Sequence, residues 1–400
     1  MATTDNSLSP FSPEIWAPEI QDVYFRENVG LALANTSLDG LAQYGDTLNR
    51  PYAAPIVDVA YTRGTALTPV GQAPTNEYLS VDTSRALCHY YDDLDEVQNK
   101  YDWAKIWAQK AGRTLSNRVD QAFFAEVSNA GQYIDAGDVG GSAGSYITLT
   151  SDNVYKTFLA AKRKLSLLDV PDKNLFFAMG PRGYEYLRMY LQGKDTNVGD
   201  EVGENGLIGK RNGFELYETN NCYFTATLAM ATNPTEGDTV TLGGVVFTFN
   251  ATPSGAGSVD IGSTAAISVD NLVAAINDSG TAGTTYIQLS AVNRFKLVKA
   301  GVVATDATTS ITIVAYGELA TAETLTATAD IWSLQYVHYF AGEKGAVQMV
   351  VQIPPKIKFQ DAQLMFGKYL LGLCYYGKKT WAESATRLID IRVAAGSWTN

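Results

Sequence analysis

The sequence predicts an α+β fold of several domains. Three observations carry that prediction: one run of helical periodicity from Leu94 to Val127, a Gly/Pro-tipped extended hairpin ahead of it, and a Thr- and Ala-rich segment of strand pattern interrupting the second half. At 400 residues, and about 150 per domain, the chain is long enough for two or three domains and a sizeable core. Hydrophobic residues make up 46% and charged residues 18%, below the ~25% of ordinary globular proteins, which indicates folded chain with much of its surface covered. The net charge of −12 opposes general adhesion to nucleic acid, which needs clustered Lys and Arg.

Residues 1–44 read as an arm punctuated by Pro and Asn. Its one amphipathic stretch, 18–28, places Ile20, Val23 and Tyr24 at helical spacing. Residues 45–91 read as a long hairpin: Ile56, Val57, Val59 and Tyr61 climb to a tip holding Gly64, Pro69, Gly71 and Pro74, and Tyr78, Leu79 and Val81 return. Such a ribbon is marginally stable alone in water, so its apolar and Tyr side chains need a partner surface, on their own domain or on a neighbouring subunit. Asp92, Asp93, Asp95 and Glu96 then sit where a helix begins, beside the positive end of its dipole. They lack the glycine and spaced ligands of an EF-hand and read as a start signal rather than a calcium site. From Leu94 through Tyr101, Ala108, Leu115 and Val119 to Val127 the apolar positions repeat every three or four residues, widened by Trp103 and Trp107. This is one amphipathic helix about 50 Å long.

A glycine-rich connection, 131–145, leads to a second amphipathic helix at 152–168, closed by Pro171. A buried-looking strand at 175–179, a helix opened by Pro181, a polar Gly-rich loop at 193–206 and strands at 214–217 and 223–228 follow. Composition then shifts: residues 229–330 hold 18 threonines, 18 alanines and only three bases, Arg294, Lys296 and Lys299. Strands at 239–242 and 245–249 flank Gly243-Gly244, 270–276 is a short helix, and 285–289, 295–298 and 310–315 are further strands. The segment reads as a compact β-rich insertion with one helix, expected to fold by itself and to be dispensable for the rest. Strands resume at 334–340 and 346–353, break at Pro354-Pro355, and are followed by a Tyr- and Leu-rich stretch at 364–376 and a closing strand at 387–393.

Charge is unevenly spread. Residues 1–99 carry 14 acids and 4 arginines, residues 229–330 carry 9 acids and 3 bases, and residues 331–400 carry 4 acids and 8 bases. The acidic beginning and mildly basic end are either solvated surface or an attraction between copies.

The chemistry set is thin. The two histidines, His89 and His338, lie far apart, as do the three cysteines, Cys88, Cys222 and Cys374, so no metal-ligand motif and no disulfide framework forms. Unpaired cysteines fit a reducing compartment. The first sixteen residues lack the features of a secretory signal, and the apolar stretch 369–376 is far below the ~20 residues of a membrane span, so a soluble cytoplasmic product is expected. Gly140-Gly141-Ser142-Ala143-Gly144 matches a nucleophile elbow with His338 downstream, yet no buried strand precedes it and no helix follows, which favours a flexible loop. Residues 203–209 lack the Lys-Ser/Thr of a phosphate loop. His89 reads as a packed residue. The 23 tyrosines lack interleaved bases and read as interface anchors rather than base-stacking platforms. No catalytic residue, metal or cofactor is assigned.

Several segments follow one another in a specific order: Gly45-Asp46-Thr47-Leu48, residues 75–83, Tyr91-Asp92-Asp93-Leu94-Asp95, residues 174–179 with 181–191, Glu204 to Gly209 with Asn212 to Tyr217 and Asn220-Asn221, Gly342 to Val347, and Phe366-Gly367-Lys368 through Tyr376-Gly377. In these, and over most of its length outside 229–330, the chain resembles the major capsid proteins of tailed bacteriophages, with the Hong Kong 97 phage capsid fold.

The resemblance implies an N-terminal arm (1–44), an extended loop (45–91) reaching a neighbouring subunit, a peripheral domain with the spine helix (92–170 with 356–400), an axial domain (171–228 with 331–355) and an insertion domain (229–330). It further implies a non-enzymatic subunit without cofactor, self-assembling as hexamers and pentamers into the icosahedral head around double-stranded DNA. The DNA is enclosed without sequence-specific binding or membrane, by a virion protein made in the host bacterial cytoplasm. Portal and scaffolding or decoration proteins are the implied partners. Trp16, Tyr24, Arg50, Tyr52, Tyr61, Arg63 and Tyr78 are the expected inter-subunit contacts. Two departures matter. Some relatives weld subunits by a Lys–Asn isopeptide bond, whereas this loop holds Arg50, Arg63 and Arg85 and no lysine, so a non-crosslinked shell is expected. The arm is too short for a fused scaffold, so a separate assembly aid is expected. The rival readings are an encapsulin-like nanocompartment shell, a phage tail or adhesin component suggested by the Thr/Ala-rich segment, and a hydrolase resting on Ser142 and His338. The insertion makes lateral contacts, bears a decoration site or serves only solubility.

Overall fold

Period-two burial in the strands sorts them into three sheets, and the helices lie where one face of each can be covered. The computed structural model describes residues 28–40, 45–52, 56, 58–68, 71, 75–98, 103–193, 209–327, 329–363 and 365–395. The expectations for the arm before residue 28, with Trp16 and Tyr24, and for the loop at 194–208 lie outside the described residues.

The first sheet is antiparallel, in the order β1 (Thr47–Tyr52), β2 (Thr75–Asp92), β15 (Gly367–Thr380), β14 (Val347–Asp361). Its hairpin differs from the sequence expectation. The ascending strand is 47–52, in register Thr47 to Ser80 through Tyr52 to Thr75, while Ile56 and Tyr61 lie outside any strand. Alternation alone favoured the apolar 56–61; pairing with β2 is what makes 47–52 the strand. β14 also runs through Pro354-Pro355 instead of breaking there. It is an edge strand whose register shifts between Ile353 and Lys356, a place where residues without an N–H are tolerated.

Across this sheet lies α3 (Trp103–Ala125), preceded by α2 (Asp93–Gln98). The described parts of the long periodic run are helical as expected, and the 23 residues of α3 alone give a rod of about 35 Å; residues 99–102 lie outside the described residues. Gly372 in β15 admits the helix closely: a Cβ there would stand 2.8 Å from Leu87 Cγ and 3.0 Å from Leu115 Cδ1. The N-terminal root, with its single turn α1 (Gly30–Leu33), is tied to the same helix and sheet. Asn28 Nδ2 donates to Ser116 Oγ (2.7 Å), Gly30 N–H to Asp120 Oδ1 (2.6 Å) and Asn35 N–H to the Val347 carbonyl (2.8 Å).

The second sheet has eight strands. Its main path is β10 (Val303–Asp306), β11 (Ser310–Tyr316), β6 (Tyr223–Ala229), β13 (Trp332–Glu343), β16 (Leu388–Ala394) and β3 (Gln132–Ile134). β4 (Leu175–Met179) joins β13, and β5 (Phe214–Glu218) runs parallel to β4. β4 is buried along its whole length because both faces are covered. Phe177 stacks at 4.1 Å on Phe158 of α4 (Val154–Leu167), whereas Phe176 meets Phe123 of α3 and Phe340. α5 (Pro181–Gln192), opened by its proline as the sequence predicts, packs beside α4.

The third sheet, in the order β12 (Thr321–Glu323), β7 (Thr239–Leu242), β8 (Val245–Asn250), β9 (Ser258–Asp260), carries α6 (Ala265–Asn277) and α7 (Ala291–Lys299). Two expectations change here. Residues 295–298 belong to a helix, not a strand, because Ser290 caps it by accepting the Asn293 N–H and Lys296 and Lys299 sit at its negative end. Residues 285–289 form isolated bridges through Tyr286 rather than a strand. In addition, β10 and β11, inside the Thr/Ala-rich segment, are strands of the large sheet: β11 pairs with β6 from Ser310–Ala229 to Tyr316–Tyr223. Ile311 and Ile313 share one core with Phe224, Leu228, Val240 and Leu272, so this segment is not packed as a body apart.

Candidate inter-subunit surface

The hairpin is fixed at its root and uncovered beyond it. At the root, the Arg50 side chain of β1 lies over the Trp381 ring, 5.4 Å from its centroid. Trp381, only 4% exposed, packs with Leu79, Val81 and Val350. It precedes the turn α8 (Ala382–Ala385), whose Ala382 N–H donates to Glu77 Oε2 at 3.2 Å. Arg50, Pro51, Tyr52, Glu77, Trp381 and Glu383 together rim a recess of about 100 Å³. The indole Nε1 of Trp381 is buried without a hydrogen-bond partner.

Farther out, Ile56 is 89% and Tyr61 65% exposed, and Val59 and Leu67 are exposed as well. The Tyr61 hydroxyl accepts the Gly64 N–H at 3.5 Å, a local contact that covers nothing. Of the expected contact residues, the structure brings Arg50 and Tyr52 together at the root recess. Tyr78 is exposed on β2 opposite Asn49, Tyr61 and Arg63 sit apart on the outer loop, and Trp16 and Tyr24 are not described. Sequence reasoning missed Trp381, just after β15, and Glu77 on β2, which reach the recess from parts of the chain remote in sequence. It also missed an open groove of about 480 Å³ between α3 and the β14–β15 tip, lined by Tyr91, Ala104, Phe359, Gln360, Asp361 and Lys368. Phe366 stands exposed on that tip.

Ionisable groups, some exposed and some buried, serve as joints. Lys210 and Lys344 clasp Glu215 and, with Tyr217, hold its carboxyl down at about 2. Burial pushes the Glu318 carboxyl up, yet it accepts the Tyr339 hydroxyl (2.7 Å) and the Arg182 N–H (3.0 Å) at the start of α5, where the helix dipole favours an anion. Burial likewise raises Asp120, which accepts from Gly30 and from Asn221 Nδ2 (2.5 Å).

The hydrolase reading fails on geometry. Both ring nitrogens of His338 are engaged, Nδ1 with Asp390 Oδ1 at 2.6 Å and Nε2 with Thr225 Oγ1 at 3.3 Å, and Asp390 also accepts from Arg392 Nε at 2.9 Å. Ser142 is exposed in a turn braced by Asp135, which accepts the Gly137 and Gly144 N–H groups, and makes no bond to His338. Among the described residues no three metal-ligating side chains cluster, and no helix is long and apolar enough to cross a membrane.

No family model and no curated protein sequence matches the chain. Solved structures do. The chain is similar to a chain of Mycobacterium phage Che8, 16% identical with a TM-score of 0.57 over 95% of this chain and 96% of that one. It is also similar to a chain of the capsid structure of the Cyanophage P-SCSP1u, 13% identical with a TM-score of 0.55 over 98% and 95%. The capsid of Ralstonia phage GP4 gives 8% identity and a TM-score of 0.51 over 100% of both chains. Across nearly the full length of both chains, the chain has the fold of these phage capsid structures.

Proposed function

We propose that this chain is the major capsid protein of a tailed bacteriophage, assembling as hexamers and pentamers into an icosahedral head around double-stranded DNA. One observation carries the reading: on a capsid fold, the outer hairpin holds Ile56, Val59, Tyr61 and Leu67 in water within a single chain. At ~25 cal/mol per Å² of apolar surface, covering these side chains and the groove beside Phe359 between copies would stabilise a shell without any bond-making step. In this reading 1–44 is the arm, 45–91 the extended loop, 92–170 with 356–400 the peripheral domain, 171–228 with 331–355 the axial domain, and 229–330 an insertion. The virion is its destination after synthesis in the bacterial cytoplasm, with portal and scaffolding or decoration proteins as partners. The loop has no lysine, so the shell is not welded through it.

The test is negative-stain electron microscopy of the chain expressed in bacteria with its neighbouring structural genes, followed by reducing denaturing gels of the particles. Closed icosahedral particles with DNA and a single monomer band are expected. Tubes would indicate a tail component, protein cargo a nanocompartment, and covalent ladders a crosslinked shell.

A further inference from the structure

Two guanidiniums come together at the end of α7 with no carboxylate between them. Arg118 of α3 reaches the helix end, where its Nη1 donates to Gln121 Oε1 (2.8 Å) and its Nη2 to the Val298 carbonyl (2.7 Å). Arg85 of β2 lies in register with Cys374 of β15, and its guanidinium donates to the Tyr376 hydroxyl. That hydroxyl in turn donates to the Arg118 carbonyl (3.4 Å), so the two arginines bracket one tyrosine. Burial, and after it the Arg85 charge, hold Arg118 below the usual guanidinium range. These contacts leave most of the N–H donors of both side chains without a protein acceptor among the described residues.

The surrounding chain is shaped to admit them. Gly301, at φ +61°, turns the backbone out of α7, and a Cβ there would stand 2.6 Å from Arg118 Nη1 and 2.9 Å from Tyr316 Cδ2. A residue with no side chain is what leaves Arg118 its place. Tyr316, at the end of β11, lies within the field of both guanidiniums, and burial pushes its hydroxyl up to about 12, so it remains an O–H donor. Gln121 Nε2 donates to the Lys299 carbonyl (3.1 Å) and fixes the other wall. The chain holds 42 acids against 30 bases, yet no described carboxylate acts on Arg118, so the countercharge comes from outside the chain. Its occupant is an anion rich in acceptor oxygens. Phosphate offers more of them than a carboxylate and is a group that arginine forks recognise bidentately.

We propose that Arg85 and Arg118, with Tyr316 beside them, form a phosphate-binding notch that takes free phosphate or a backbone phosphate of DNA. The inference concerns the single subunit and holds whether or not the chain builds a shell. Binding of inorganic phosphate to the dilute full-length chain is followed by titration calorimetry at constant ionic strength. Saturable binding with a Kd on the order of a millimolar is expected. Arg85 is exposed, so Arg85→Gln should keep the thermal transition and weaken phosphate about tenfold through the loss of one charged donor. Gly301→Ala, which displaces Arg118 without removing a charge, should weaken it as well. A short DNA duplex is then added as competitor. Displacement of phosphate assigns the notch to backbone phosphates, and no displacement assigns it to free phosphate; the site stands in both cases. Equal phosphate affinity in the wild type and Arg85→Gln overturns the proposal, and so does the absence of saturable binding. Acetate bound as tightly as phosphate also overturns it, since the notch would then be a carboxylate site.

Discussion

Replacing Trp381 by alanine removes the pivot on which the hairpin is mounted. The ring is 4% exposed, packs among Leu79, Val81 and Val350, and lies under the Arg50 guanidinium at 5.4 Å. Truncating a buried aromatic of this kind costs about 3–5 kcal/mol, of which ~0.5–1 kcal/mol reflects the lost cation–π contact. The cluster joins β2 to β14 and does not reach the α4–β4 core, so the loss is expected to be local. Hydrogen exchange read by mass spectrometry should show residues 47–52 and 75–81 exchanging much faster in Trp381→Ala, while β4 and α4 keep their protection. Urea unfolding gives the total. Trp381→Phe is a sharp control: the indole Nε1–H has no partner, so no hydrogen bond is lost and the penalty should be well under half that of alanine. The reasoning is refuted by an alanine variant losing less than ~1 kcal/mol with unchanged exchange. A phenylalanine variant as damaged as the alanine one refutes it equally.

Three further outcomes follow from individual contacts. Glu215 titrates at about 2 in the folded chain against an ordinary value of 4.5, so its ion pairs contribute fully above pH 4.5 and fade as the pH falls toward 2. Glu215→Gln should therefore flatten the acid side of the stability profile in that window, and a wild-type slope would count against the clasp by Lys210 and Lys344. In Gly30→Ala, the new Cβ would stand 2.8 Å from Phe123 Cβ and 3.0 Å from Asp120 Oδ1. Overpacking of about 1–3 kcal/mol should loosen residues 28–40 from α3, visible as faster exchange there; undisturbed protection would show that the root is held elsewhere. Deleting residues 229–330 strips β11 from β6 and opens the core around Phe224 and Leu228, so the product should be insoluble or lack a cooperative transition. A soluble, cooperatively folding deletion would mean that this segment is separable after all.

What the sequence revealed divides along the distance between interacting residues. β4 and α5 are legible nearly to the residue because their signals are local: a five-residue apolar run with no room for polar alternation, then a proline at a helix start. α7 misleads because Phe295 and Leu297, two apart, mimic strand alternation, and four residues are too few to tell the two periods apart. The hairpin is legible as a hairpin, but its ascending strand is not, since register with β2 decides between 47–52 and the more apolar 56–61. The continuity of β14 through two prolines depends on its edge position, which only the assembled sheet defines. For the candidate surface, Arg50, Tyr52 and Tyr61 are visible in the sequence as cations and aromatics on an unsupported loop. Trp381 and Glu77 are not, because Glu77 and Ala382 meet across some three hundred residues of chain.

The central claim is that the outer hairpin is completed by a neighbouring copy. Hydrogen exchange across residues 56–68 in isolated subunits and in closed particles tests it most directly. Fast exchange in the subunits and strong protection in the particles is the expected result. Equal protection in a stable monomer, with Ile56 and Tyr61 already shielded from solvent, would contradict it.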